Sequence, residues 1–211
     1  MFDLTDITIR SISVSETDNN VYLLTHKASG RQVLIDAADD ADAIKSMLEE
    51  ARSDTAQTPQ VTHIITTHSH WDHVRALGEM VEYTGATTAA GSEDVSEIEI
   101  PTDMPLEAGT IHTGDLELEI IKLRGHTPGS VAVLYRNAEG PDHLFSGDSL
   151  FPGGVGNTFG DPDRFATLFN DVVERVFNVL PDETIVHPGH GARTTLGKER
   201  PYLAEWRARG W

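Results

Sequence analysis

Four side chains that can bind a metal stand within six residues of this chain, and this cluster limits the possible folds more than any other feature. The segment His68-Ser69-His70-Trp71-Asp72-His73 directly follows a β-branched run, residues 61–67, that predicts a buried strand. Three imidazoles and a carboxylate packed so tightly lose solvation, and protonated imidazoles repel one another. A divalent cation that collects these groups at the end of the strand is the interpretation that best explains the cluster.

Three more candidate ligands follow, each in a glycine-containing turn after an apolar run. They are His126 in residues 125–129, Asp148 in residues 146–149 and His190 in residues 188–191. Glycine and proline let the backbone bend sharply where a strand ends, so that each side chain can point at a common centre. The candidate ligands therefore comprise five histidines and two aspartates.

These side chains can be divided between two metal ions. His68 and His70 alternate along an extended segment and share a face, so with His126 they can form a three-nitrogen site. The second ion would take the three remaining side chains, Asp72, His73 and His190. Asp148 can bridge the pair by placing one carboxylate oxygen on each ion. Because the chain has no cysteine, its ligands are nitrogen and oxygen atoms, which suit zinc, iron or manganese.

In their order and spacing these motifs resemble the metallo-β-lactamase superfamily, whose His-x-His-x-Asp-His pattern is followed by single His, Asp and His ligands. Residues 125–130 and 146–151 are most similar to hydroxyacylglutathione hydrolase (glyoxalase II) and its short relatives. The resemblance implies an α+β fold, a four-layer αββα sandwich with the metals at one edge. It also implies two divalent ions, with zinc expected and iron or manganese as alternatives, and a metal-bound hydroxide as nucleophile.

Two departures from hydroxyacylglutathione hydrolase bear on the substrate. Gly154-Val155-Gly156-Asn157 stands where that family has Gly-Cys-Gly-Arg, and 21 residues (211 minus 190) follow His190. We therefore expect the glutathione-binding helical domain to be absent, and the catalytic chemistry to carry over better than the identity of the substrate.

The chemistry of the leaving group favours a thioester of a small acyl compound. A thiolate departs without a donated proton, whereas an amide nitrogen or an alkoxide needs a general acid, which the sequence does not identify. Hydrolysis of a lactone or another ester stays open as the alternative. So does a persulfide dioxygenase, in which a single iron is held by two histidines and an aspartate.

The charge of the chain argues against polyanionic partners. The formal charge of −18 comes from 34 acidic and 16 basic residues, and the stretch between Arg75 and Lys122 carries eleven carboxylates without a lysine or arginine. Such a surface repels phosphate backbones, so we expect a small-molecule substrate and neither nucleic acid nor membrane as partner. The N-terminal residues do not resemble a signal peptide, which favours a cytoplasmic protein. No linker divides residues 1–211, which we interpret as one domain of undetermined oligomeric state.

Periodicity predicts the main elements. Antiparallel strands with a hairpin at Ser29-Gly30 open the chain, and an apolar stripe from Phe165 to Leu180 indicates a long amphipathic helix. The other predicted elements are helices over 41–52, capped by Asp39 or Asp40, and over 74–83, and strands over 116–123, 131–135 and 143–145.

Several further residues are candidates for supporting roles. We expect Asp72 and Asp148 to act in catalysis as well as in metal binding, with Asp72 orienting the nucleophile. Asp36, at a strand end, either accepts the free N–H of a metal-bound imidazole or caps a turn. The candidate substrate contacts are Phe151, Asn157, Phe159, Arg193 and Lys198, with Arg200 beside them. Among the remaining histidines, His63 is interpreted as a hydrogen-bonded core residue, His187 as a supporting or packed residue, and His26, His112 and His143 as surface groups.

Overall fold

Two mixed β-sheets form the centre of the fold in the computed structural model, which describes residues 1–210. The first sheet has the strand order β1-β2-β3-β4-β5-β6-β7, and the second has the order β15-β14-β11-β10-β9-β8. The strands of the first sheet are β1 Phe2–Asp3, β2 Ile7–Val14, β3 Asn19–His26, β4 Arg31–Ile35, β5 Gln60–Thr66, β6 Thr87–Gly91 and β7 Met104–Leu106. Those of the second are β8 Gly109–Thr113, β9 Leu116–Lys122, β10 Val131–Tyr135, β11 His143–Gly147, β14 Ile185–Pro188 and β15 Thr194–Thr195. A small separate hairpin pairs β12 Leu150–Phe151 with β13 Gly154–Val155.

Helices cover the outer faces of both sheets. They are α1 Ala41–Glu50, α2 Leu77–Thr84, α3 Pro162–Val172, α4 Leu196–Glu199 and α5 Leu203–Arg209, with a π-helical turn Val173–Phe177 and 3₁₀ turns Ala51–Asp54, Trp71–His73, Val95–Glu97 and Arg200–Tyr202. No helix within residues 1–210 is long and apolar enough to cross a bilayer.

Three apolar layers hold these elements together. Between the sheets, residues such as Ile9 and Ile65 of the first pack with Val133 and Phe145 of the second. The outer face of the first sheet packs on α1 and α2, and that of the second packs on α3 and α5. The predicted α+β fold, a four-layer αββα sandwich, is therefore confirmed.

The predicted element boundaries differ from the structure mainly at two helices. The first α-helix ends at Glu50 instead of residue 52 and continues as a 3₁₀ turn; Asp40 is its cap, since its Oδ1 accepts from Ala43 N at 3.0 Å. The second begins only at Leu77, because the N–H groups of Arg75 and Ala76 donate to the carbonyls of residues 38 and 37 instead of joining a helix. The long amphipathic helix is also interrupted, since its α-helical part gives way to the π-helical turn.

Sheet pairing brings the candidate ligands to one edge of the sandwich. β11 and β14 run parallel, with Gly147 paired to Pro188, so the turns that carry Asp148 and His190 leave the sheet side by side. The two sheets also meet here, because Val131 N of the second donates to Thr67 O, directly after β5 of the first, at 2.9 Å. The segment that begins at His68 therefore faces the ligands of the second sheet.

Candidate metal centre

The structure brings all seven predicted ligand side chains together. Ligand atoms within each of three groups lie within 4.8 Å of one another: His68, His70 and His126; Asp72, His73 and His190; and His68, His73 and Asp148. The first two groups match the predicted division and are called the first triad and the second triad below. The third contains a member of each triad, which is the position expected of a bridging Asp148.

Two of the imidazoles are fixed in orientation by backbone carbonyls. Nδ1 of His126 lies 2.8 Å from the carbonyl oxygen of Asn157, and Nδ1 of His190 lies 2.8 Å from that of Thr17. A carbonyl oxygen only accepts hydrogen bonds, so each Nδ1 must carry the proton. In the neutral form of both rings, Nε2 then keeps a free lone pair, the form in which an imidazole binds a metal.

Asp36 fixes the other two buried imidazoles, directly and through Thr67. Nδ1 of His73 lies 3.0 Å from Asp36 Oδ2, and the hydroxyl of Thr67 donates to the same oxygen at 2.8 Å. Because that hydroxyl proton is already used, Thr67 Oγ1 accepts from Nδ1 of His68, 3.1 Å away. The predicted contact between Asp36 and a ligand imidazole is thus present, and it is extended by a threonine that the sequence analysis did not identify.

Three buried polar atoms that face the centre have no hydrogen-bond partner within residues 1–210. Nε2 of His68, Nε2 of His126 and Oδ1 of Asp148 are buried without a hydrogen bond among the described residues. An unpaired buried polar group costs free energy, so three around one point indicate a binding site, not a packing accident. Nitrogen lone pairs and carboxylate oxygens are the donors that divalent zinc, iron and manganese accept, so the side chains present fit a metal.

Asp148 lies between the two triads. One carboxylate oxygen, Oδ1, is 3.4 Å from Nε2 of His73. The other, Oδ2, is 3.5 Å from Nε2 of His126 and 3.3 Å from Nε2 of His190. Among the seven ligands, Asp72 contacts the other two members of the second triad, with Oδ2 3.4 Å from Nε2 of His190 and 3.8 Å from Nε2 of His73.

The electrostatic environment keeps the first triad neutral and Asp148 ionised. Burial lowers the pKa of all three first-triad imidazoles, which are His68, His70 and His126. Burial alone would raise the pKa of Asp148, but contacts with His190 and His73 outweigh it and hold the pKa well below its usual range. A neutral imidazole and an ionised carboxylate are the forms that ligate a cation.

Two glycines are required for this approach of the loops. A Cβ on Gly189 would lie 2.2 Å from Oδ1 of Asp148 and 2.8 Å from Cε1 of His73. On Gly156 it would lie 1.7 Å from the carbonyl oxygen of Asp148. Glycine at these positions therefore lets the backbone come close to the ligands; the turn motifs predicted sharp bends, not this close approach.

Asp94, which no sequence motif indicates, joins the two loops of the first triad. Its buried carboxylate accepts from Ser69 N at 2.9 Å, Thr127 Oγ1 at 2.6 Å and Gly129 N at 2.6 Å. It was missed because it lies in an acidic stretch with no metal-binding motif. The contacts of Thr127 and Gly129 with Asp94 join residues more than 30 positions apart, so they are visible only in the three-dimensional structure.

Three of the predicted substrate contacts line the mouth of the centre or its wall. The exposed ring of Phe159 lies 5.9 Å from that of His70 and 6.1 Å from that of His126, measured between centroids. Phe151 lies at the other side, 6.4 Å from His190. Asn157 shapes the same segment, since its Oδ1 accepts from Phe159 N at 2.8 Å.

The predicted cationic contacts are placed less favourably. Arg193 lies over the ring of Phe2, 4.9 Å from its centroid, and Lys198 is exposed to solvent on the short helix α4. Within residues 1–210, neither side chain forms a hydrogen bond, ion pair or ring contact with any of the seven ligands. Arg200 is already engaged, since it donates to Asp182 and to the carbonyl oxygens of Phe177 and Leu180.

The prediction that His143 is a surface group is wrong. His143 is buried, and its Nδ1 lies 2.9 Å from Nε2 of His187, with the two rings stacked. The strand β11 runs between two neighbours of the second sheet, and this covers a side chain that the local polar sequence suggested was exposed. His63 is half-buried, outside all three ligand groups, and its Nδ1 has no hydrogen-bond partner among the described residues, contrary to the prediction.

Comparison with known proteins relates the whole arrangement to one superfamily. A sequence model of the metallo-beta-lactamase superfamily matches residues 14–190. The hydroxyacylglutathione hydrolase of Rhodobacter capsulatus is 34% identical over 184 residues, which cover 86% of this chain and 66% of that enzyme.

Two solved structures extend this likeness to three dimensions. BLEG-1 B3 metallo-beta-lactamase is 26% identical, with a TM-score of 0.78 over 93% of this chain and 99% of that one. TTHA1623 in a di-iron-bound form is 29% identical, with a TM-score of 0.73 over 90% of this chain and 96% of that one.

Proposed function

The chain belongs to the metallo-β-lactamase superfamily, and from that premise we propose that it is a dinuclear hydrolase of small acyl thioesters. The observation that carries the proposal is the position of Asp148, whose two carboxylate oxygens face His73 of the second triad and His126 of the first. A carboxylate in that position can hold two ions at the roughly 3.5–4 Å separation of two-metal hydrolytic sites. The di-iron form of TTHA1623 supports a pair of ions in a site of this kind, while zinc remains our expectation here.

The side chains of the centre would have separate roles in binding the two ions and in orienting the water. The first triad would hold one ion, the second triad the other, and Asp148 both. Bound divalent ions supply a water nucleophile near neutral pH and polarise a carbonyl. Among the seven ligands Asp72 contacts only members of its own triad, and its side chain is partly exposed, so its carboxylate can also orient that water toward the substrate.

The fixed imidazoles favour a leaving group that needs no proton. His68, His73, His126 and His190 each use Nδ1 for a hydrogen bond to the protein, which leaves Nε2 as the atom that would bind an ion. None of these four rings is therefore free to act as a general acid. A thiol of pKa about 8.5 can leave as the thiolate, whereas an amide nitrogen or an alkoxide requires protonation.

The mouth of the centre supports a small, apolar acyl group. Phe159 and Phe151 present aromatic rings at opposite sides of the ligand cluster. Arg164 donates through Nε to Gly125 O at 2.8 Å and lies over the Phe159 ring, 4.9 Å from its centroid, which supports the ring from behind. The likeness to hydroxyacylglutathione hydrolase favours the thioester class, but only 66% of that enzyme is matched, so we do not assign glutathione as the thiol.

A substrate panel tests this assignment. Zinc-loaded protein is assayed with S-lactoylglutathione, an acyl thioester of another small thiol, a lactone and a β-lactam. We expect thiol release from both thioesters at a kcat/KM above that for the lactone, and no hydrolysis of the β-lactam. Activity on lactones with none on either thioester would refute the proposal. Oxygen uptake with a persulfide by protein holding one iron would instead assign it to the dioxygenases.

A further inference from the structure

We propose that Asn19 is a positioning residue for Asp72 and thereby sets the affinity of the second triad for its ion. This inference rests on the proposed two-ion centre and concerns a side chain that none of the metal-binding motifs includes. Asn19 is fully buried at the start of β3, and its Nδ2 lies 3.0 Å from Asp72 O and 3.1 Å from Asp72 Oδ2.

The orientation of the Asn19 amide follows from its neighbours. Hydroxyls of Ser15 and Thr17 both donate to Asn19 Oδ1, each at 2.6 Å. Oδ1 is therefore the acceptor end of the amide, and Nδ2, which can only donate, must be the end that faces Asp72. The same NH₂ group thus donates to the backbone carbonyl oxygen and to the carboxylate of Asp72. The carboxylate cannot turn away from the centre without losing a hydrogen bond.

The segment that carries Asn19 also holds another member of the second triad. Thr17 O accepts from Nδ1 of His190, and the backbone N–H of Gly191 donates to Asp18 O at 3.1 Å. Two residues of this segment, Ser15 and Asp18, have left-handed φ values of 67° and 54°. Such backbone is uncommon outside glycine and persists where surrounding contacts determine it.

The first triad is supported by other parts of the chain. His68 is held by Thr67, His126 by the carbonyl of Asn157, and their two loops by Asp94. A change at Asn19 should therefore act on one ion, whereas general loosening of the fold would act on both. Loss of a hydrogen bond that orients a ligand typically weakens metal binding by about 10- to 100-fold.

The test is the number of zinc ions bound per chain at a series of buffered free zinc concentrations. Wild type is compared with Asn19→Ala, with Asn19→Leu, which keeps the number and branching of the side-chain heavy atoms, and with Gln32→Ala. The last is the matched control, because it also removes a buried side-chain amide, which donates to Thr25 Oγ1 at 3.0 Å, and Gln32 belongs to none of the ligand groups. We expect both Asn19 variants to bind one zinc as wild type does and the other about 10- to 100-fold more weakly, and Gln32→Ala to bind both as wild type does.

Combined variants assign the weakened ion to a site. Asn19→Ala should cause no further loss in a His190→Ala background, where the second triad is already broken. In a His126→Ala background it should weaken the ion that remains. Thermal unfolding of each metal-free variant identifies any variant that fails to fold. If one Asn19 variant fails to fold, the zinc titration of the other tests the inference.

Three results would overturn the inference: both zinc ions bound at wild-type affinity by the Asn19 variants, equal weakening of both ions, or equal effects of Asn19→Ala and Gln32→Ala. Thioester hydrolysis by wild type is measured separately. If wild type hydrolyses no thioester but Asn19→Ala selectively loses one zinc, the proposed substrate class fails and the role of Asn19 stands.

Discussion

Asp36 accepts a hydrogen bond from His73, with Oδ2 3.0 Å from Nδ1, and both side chains are buried. The same carboxylate accepts from the backbone N–H of Thr67 at 2.7 Å and from its hydroxyl at 2.8 Å, and that hydroxyl in turn lies 3.1 Å from Nδ1 of His68. One carboxylate therefore orients an imidazole of each triad. The left-handed backbone of Asp36, with φ of 56°, places it there.

Asp36→Asn should weaken the binding of both ions. Asparagine tolerates the left-handed backbone and has the same volume, but its amide has one acceptor oxygen where the carboxylate has two. Its NH₂ group would oppose either the Thr67 N–H or the N–H of His73. We expect about 10- to 100-fold weaker binding of each ion, measured by zinc titration. Unchanged affinity, or an effect on one ion only, would contradict the role of Asp36 as a common support.

Asp148→Ala should abolish binding of both ions at zinc concentrations that saturate wild type, because its carboxylate faces both triads. His190→Ala should lose mainly the ion of the second triad. Elemental analysis after gel filtration distinguishes a double loss from a single loss. His112→Ala, which changes an exposed histidine on β8, is the control and should retain both ions. Two ions retained by Asp148→Ala would rule out the bridge.

Gly189→Ala should reduce metal content although it adds only one methyl group. The new Cβ would be 2.2 Å from Oδ1 of Asp148, so the carboxylate or the loop must move. Gly140→Ala is the matched control, because that turn is exposed and a Cβ there would meet only the end of the flexible Asn137 side chain. Full metal content in Gly189→Ala would show that the loop adjusts without cost.

The ligand motifs and their turns could be predicted from the sequence because each motif is a short continuous segment. His68, His70, Asp72 and His73 lie within six residues, and glycine stands at residue 189, where the loop approaches the ligands closely. The supporting residues were harder to find, since Asn19 and Asp94 act on loops that are distant in sequence. Nothing within six residues of Asn19 indicates that its amide will meet Asp72, which is 53 positions away.

Burial was the other property that local sequence did not predict. His143 follows the polar Pro141-Asp142, which suggested a surface group, but pairing of β11 with β10 and β14 buries it. The predicted start of the second helix, residue 74, is wrong for a related reason. Backbone N–H groups of residues 75 and 76 are used by the loop after β4, a tertiary contact that delays α2 until Leu77.

The buried pair His143 and His187 should make the metal-free protein sensitive to acid. Burial lowers the pKa of His187 to about 3 and that of His143 to about 4, from the 6.5 that is usual for a histidine side chain. The unfolded chain therefore binds more protons than the folded one below about pH 6.5, and the free energy of unfolding falls as the pH decreases toward 4.

Replacement of His187 isolates this contribution. His187→Phe keeps a ring against Phe145, on which His187 stacks with centroids 4.7 Å apart. Between pH 7 and pH 5, wild type should lose about 2 kcal/mol more stability than the variant, since one pKa unit corresponds to about 1.4 kcal/mol. Urea denaturation of both metal-free proteins at the two pH values measures the difference. Equal pH dependence would show that His187 is not a buried neutral imidazole.

The most direct test of the central claim is the rate of thiol release from an acyl thioester as zinc is added stepwise to metal-free protein. We expect no release without metal, and a rate that reaches its maximum at two zinc ions per chain, with Asp148→Ala inactive at every ratio. A maximum at one ion per chain would contradict the dinuclear centre. No thiol release at any zinc ratio from folded, zinc-binding protein would contradict the assignment as a thioester hydrolase.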